Sequence, residues 1–84
     1  RRHGLDHGVA ELDQLAVGHK GRVLSLAGEP GLVQRLFEMG MLEGDEVEMV
    51  AVAPLGDPLE VRLGDSRLSL RRAEAALVEV EPIP

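Results

Sequence analysis

The sequence predicts a mostly β chain, a small, partly open antiparallel barrel of about five short strands with one helix inserted after the first strand. Three observations carry this. Short runs alternate apolar with polar side chains, the period of a strand with one buried face. Turns rich in glycine and proline separate those runs. One stretch, Leu32 to Met39, switches to helical spacing.

Residues 1–11 are expected to form a flexible N-terminal segment, because Arg1 to Gly8 is polar, holds Gly4 and Gly8 and has no periodicity. Residues 12–84 are expected to form one domain. Leu12, Leu15 and Gly18 form a Leu-x-x-Leu-x-x-Gly phrase that predicts a short turn over one end of the core. Gly18 to Gly21 is a loop, and Arg22 to Leu26 reads as the first strand. Pro30 then opens the helix, at the position where proline costs a helix least. Leu32, Val33, Leu36 and Phe37 are predicted to share its core face, with Gln34, Arg35 and Glu38 opposite. Gly40 follows as a left-handed C-cap.

Glu43-Gly44 makes a turn, and Asp45 to Ala53 is β-rich. Alternation is clean from Glu46 to Met49 and fails from Val50 to Ala53, so both faces are covered there or a bulge intervenes. Pro54 to Pro58, with Gly56 inside, is a loop. Leu59, Val61 and Leu63 point one way, and Gly64-Asp65-Ser66 signals a tight hairpin. Leu68 and Leu70 continue the inward face, with Arg67 and Ser69 outward. Arg71 to Ala76 is a helical turn at most. Val78 and Val80 alternate with Glu79 and Glu81 in a last strand that Pro82 and Pro84 are expected to stop. The turns and caps of this frame are assigned to Gly18, Gly21, Gly40, Gly44, Gly56 and Pro58.

Composition narrows the function. The chain of 84 residues has a net charge of −6, and Cys, Trp, Tyr, Thr and Asn are absent. Phe37 is the one aromatic residue. Without cysteine there is no disulfide framework, thiolate metal cluster or cysteine nucleophile. An acidic chain with one aromatic ring lacks both the charge and the stacking surface expected of a nucleic-acid binder. The longest uncharged stretch, Met49 to Gly56, is far below the ~20 residues of a membrane helix. No charged n-region followed by an apolar run opens the sequence, so a signal peptide is not expected. The 14 Leu, 10 Val and three Met, with Ile83 and Phe37, suffice for one small core and leave little room for a buried catalytic pocket.

The motifs with chemical potential read more simply as structure. His3 and His7 are spaced i, i+4, as helical metal ligands are, but Gly4 and Gly8 oppose a helix there. His19 sits in a loop between Gly18 and Lys20 and reads as a solvated turn residue. Gly18-x-x-Gly21 and Gly28-x-x-Gly31 match a nucleic-acid backbone clamp only by glycine abundance. The one lysine, Lys20, belongs to no phosphate-binding loop. Ser25, Ser66 and Ser69 are the only hydroxyl groups, and no histidine is placed beside them, so no catalytic, cofactor-binding or metal residue is assigned. A partner surface is the better reading. Met39, Met41 and Leu42 gather where the helix meets the next strand, and methionine adapts to partner shape. Leu55 sits at a loop tip between two prolines. The simpler alternative has Leu42 and one methionine plugging the barrel end, which leaves Leu55 and Met41 as the stronger partner candidates.

The phrase Leu36-Phe37-Glu38-Met39-Gly40-Met41-Leu42-Glu43-Gly44-Asp45-Glu46-Val47 resembles the centre of the FeoA family, ferrous iron transport protein A. Ala53 to Val61, Arg67 to Ala75 and the opening Leu12-x-x-Leu15-x-x-Gly18-x-x-Gly21-x-Val23 resemble it as well, in order and at family spacing. Glu43 departs from the proline that many members carry there. The resemblance implies an SH3-like barrel with an inserted helix. It also implies a cytoplasmic accessory or adaptor protein of bacterial ferrous iron uptake, held at the membrane through contact with the FeoB transporter. Two alternatives stay open: a soluble transition-metal-binding protein that delivers or senses iron, and a stand-alone SH3-like regulatory domain related to iron-dependent repressors. Phe37 alone cannot line the aromatic groove that polyproline recognition needs. Exposed strand edges leave room for weak self-association.

Overall fold

Six strands form one antiparallel sheet in the computed structural model, which describes residues 8–84. They are β1 (Ala10–Glu11), β2 (Lys20–Leu26), β3 (Glu46–Val52), β4 (Leu59–Leu63), β5 (Ser66–Leu70) and β6 (Val78–Ile83), in the order β1-β6-β2-β3-β4-β5. A 3-10 turn, Leu12–Gln14, follows β1. Helix α1 (Pro30–Glu38) joins β2 to β3, and the single turn α2 (Arg72–Ala75) joins β5 to β6. The sheet does not close, since β1 and β5 end it on either side. The sixth strand beyond the expected five is β1, two residues from the segment set apart on sequence, held opposite Val80 and Glu79.

Alternation places the core. Leu59 and Val61 of β4, Leu70 of β5, and Val78 and Val80 of β6 are buried, while Glu79 and Glu81 are exposed. Val47 and Met49 of β3 join them, as do Val23, Leu36, and Leu12 and Leu15 beside the 3-10 turn. The lost alternation after Met49 is a bulge: the pairing of β3 with β4 shifts between Met49 and Ala51. β2 starts at Lys20, earlier than expected, because Lys20 already pairs with Glu48 on one side and Ile83 on the other. Gly21, expected at a turn, is instead a residue of β2 paired on both sides, where a Cβ would stand 3.0 Å from the Val80 side chain and 3.3 Å from Leu15.

Two expectations need correction. Pro82 does not stop the last strand; it pairs with Gly21 inside β6. β1 covers β6 only at Glu79 and Val80, so at Pro82 the strand is an edge, where proline is tolerated. Phe37 is not on the core face and is 42% exposed. Leu36 points into the core, and the next residue lies about 100° further round a helix.

The end of α1 explains the chain reversal into β3. Met39 caps the helix with its backbone still near helical angles, and Gly40 turns left-handed at φ +96°. The Gly40 N–H donates to the Phe37 carbonyl at 2.9 Å, and the Met41 N–H to the Leu36 carbonyl at 3.0 Å. These two bonds form a Schellman motif, with Leu36 and Met41 as its apolar pair, both fully buried. Space is open around a Cβ at Gly40, so the cost of substitution there is conformational alone. Gly40→Val is expected to lower stability by at least ~1 kcal/mol. An unchanged thermal midpoint would remove the strain argument.

Candidate functional site

The loop between β3 and β4 is built to hold its tip still. The Gly56 N–H donates to the Ala53 carbonyl at 2.7 Å, closing a tight turn, and the Ala53 N–H donates to the Pro58 carbonyl at 3.0 Å, closing the base. Arg72 of α2 then ties the loop to the domain. Its Nε donates to the Gly56 carbonyl at 2.8 Å, and its backbone N–H donates to Asp57 Oδ1 at 3.0 Å. Its Nη1 donates to the Asp13 carbonyl at 3.2 Å and stands 3.6 Å from Asp13 Oδ2. One guanidinium thereby joins the 3-10 turn, the loop and α2. Leu55 rides on this loop 96% exposed, well beyond the other exposed large apolar side chains of the described residues.

A second clamp holds the two helices. Glu74 is buried; its Oε1 accepts the Arg71 N–H at 2.9 Å, capping α2, and its Oε2 accepts from Arg35 of α1. Sequence reasoning singled out neither Glu74 nor Arg72. The three-residue spacing of Arg71 and Glu74 is that of a capping box, but the usual Ser or Thr is replaced by Arg, which hides it. The two hydrogen-bond acceptors of the Arg72 guanidinium are main-chain carbonyls and carry no signal in the sequence.

The expected partner residues do not form one patch. Met41 is fully buried in the core, so it offers a partner no surface; as the residue after Gly40 it is folded back onto Leu36. Met39 is half-buried and packs on the same core. Leu42 is 49% exposed, its N–H donating to Asp45 Oδ2 at 3.2 Å. Leu42 precedes β3 and Leu55 follows it, which puts them roughly 20 Å apart along a strand of this length. Leu55 therefore stands apart from the other three.

His19 is exposed in its loop. His3 and His7 lie outside the described residues. Among the described residues no group of three or more His, Cys, Asp or Glu is placed to hold a metal ion, and no helix is long and apolar enough to cross a membrane.

Comparison with known proteins gives this geometry a context. A family model described as the FeoA domain matches residues 10–82. The chain is similar to an Fe(2+) transport protein A/Fe(2+) transporter FeoB fusion protein of Porphyromonas gingivalis, with 38% identity over 72 residues. That match covers 86% of this chain but 8% of the fusion protein, so the chain spans a small part of that relative's length. The FeoA protein of Chlorobium tepidum superposes with a TM-score of 0.84 at 35% identity, covering 89% of this chain and 71% of that one. Stenotrophomonas maltophilia FeoA, solved as a zinc complex and described as a prokaryotic SH3 domain protein, superposes with a TM-score of 0.75 at 36% identity, covering 86% and 89%.

Proposed function

This chain belongs to the FeoA family, and from that membership we propose that it is a non-catalytic accessory protein of ferrous iron uptake whose anchored Leu55 loop docks on the cytoplasmic region of the FeoB transporter. The observation that carries this reading is the near-complete exposure of Leu55 on a loop whose neighbouring residues, Gly56 and Asp57, are hydrogen-bonded to Arg72. A large apolar side chain in water gains free energy when a partner covers it, and a loop already held in place loses little entropy on binding. The Porphyromonas relative, which joins transport protein A and the transporter in one chain, supports FeoB as that partner. The SH3-like frame supplies the platform, and the site decides the function.

Leu55→Asp is expected to leave the thermal midpoint unchanged, because Leu55 is outside the core, and to weaken binding to the transporter's cytoplasmic region by roughly tenfold or more. Equal capture of both forms in a quantitative pull-down would take Leu55 out of the interface.

A further inference from the structure

β5 is the last strand of the sheet, paired with β4 on one side and, among the described residues, with no strand on the other. The two-residue hairpin at Gly64 and Asp65 fixes which of its main-chain groups stay free. In such a hairpin the flanking pair, Leu63 and Ser66, exchanges both ladder bonds, and alternation makes Val61–Leu68 and Leu59–Leu70 the next bonded pairs. Arg67 and Ser69 occupy the positions between, so their N–H and C=O groups point away from β4 to the open edge. Both residues are exposed, and among the described residues neither main chain bonds elsewhere in the fold. An edge of this kind is a template for another strand.

The chemistry beside the edge selects what can pair there. A groove of about 330 Å³, lined in part by Val52, Pro58, Leu68 and Ser69, offers apolar surface. Pro58 and Ser69 also line the adjoining cleft, where Arg71 and Arg35 stand with Asp57 and Glu74, two carboxylates already engaged by the Arg72 N–H and by Arg35. From Ser66 to Ala73 the chain carries three arginines and no carboxylate, although the whole molecule is at −6. Arg67 is paired with Glu60 at 3.1 Å and Arg72 is engaged with Asp13, whereas Arg71 has no ion-pair partner among the described residues.

We propose that β5 accepts an extended acidic segment of a partner protein as a seventh strand. Main-chain bonds to Arg67 and Ser69 hold it, an apolar side chain fills the groove by Pro58 and Leu68, and a carboxylate meets Arg71. A second copy of this chain pairing through the same edge fits less well, because its own β5 brings the same arginines there. The inference deepens the contact reading above, resting on it only in that the partner is a protein.

The test uses the isotope-labelled chain and a short synthetic peptide alternating glutamate with valine. Binding is expected to slow amide exchange at Arg67 and Ser69 by roughly tenfold. The same peptide with lysine for glutamate is expected not to bind. Arg71→Glu should weaken the glutamate peptide by roughly tenfold. Ser69→Pro should abolish binding yet keep the native circular dichroism, because that N–H serves no ladder bond. Absence of protection at Arg67 and Ser69 with about 1 mM peptide overturns the proposal. So does equal binding of the lysine peptide, or protection of the same amides by concentration-dependent dimers without peptide. The assay contains no transporter, so its failure leaves the Leu55 contact standing, and failure of the Leu55 test leaves this strand pairing standing.

Discussion

Met41→Ala is expected to lower the free energy of unfolding by about 2–5 kcal/mol, the range for truncating a fully buried methionine. Met41 is at 0% exposure and packs with Leu36, the same pair that closes the Schellman motif. The alanine variant therefore loses transfer free energy and leaves a void at the hinge between α1 and β3. In a domain of this size the thermal midpoint should fall by about 8 °C or more. Urea denaturation measures the change directly, and a loss below about 1 kcal/mol would return Met41 to the surface, where its sequence context had suggested it. The folded fraction of the variant should still bind its partner, because Leu55 lies beyond the other end of β3.

Arg72→Ala combines a cost in stability with a cost in binding. It removes the donors to the Gly56 and Asp13 carbonyls and the cation beside the Asp13 carboxylate. Asp13 Oδ1 is already buried without a hydrogen-bond partner, so the carboxylate is left uncompensated. The expected destabilisation is about 1–3 kcal/mol, below that for a fully buried pair because the Arg72 side chain is 42% exposed. Binding through Leu55 should weaken as well, since the loop then has to be ordered on docking. Arg72→Lys should recover less than half of either loss, because one ammonium group cannot serve acceptors that Nε and Nη1 reach separately. A variant that loses stability while keeping full affinity would separate the loop's anchoring from its function.

Much of this fold was legible because its strands keep one wet face. Leu59, Val61 and Leu70 went inward and Arg67 and Ser69 outward as alternation requires, and the hairpin and the bulge in β3 fell where the pattern broke. Gly40 announced the helix end. What stayed hidden depends on contacts between distant parts of the chain. Phe37 and Leu36 are equally apolar neighbours, and only the seating of α1 decides which is covered. Pro82 is tolerated because β1 is too short to reach it. Met41 is drawn inside by the backbone path after Gly40, which composition does not encode. The candidate site was half legible. Leu55 could be found as an apolar residue among turn formers, but the arginine that steadies it sits 17 positions further along and bonds mostly to main chain.

That steadying arrangement has a temporal side. The guanidinium reaches back to a residue 59 positions earlier in the chain, so the perch under Leu55 is complete only after everything from Asp13 to Arg72 has emerged and found its form. A nascent or half-melted molecule would carry the same leucine on a slack tether and dock poorly. Any partner that reads Leu55 would then engage finished copies in preference to immature ones.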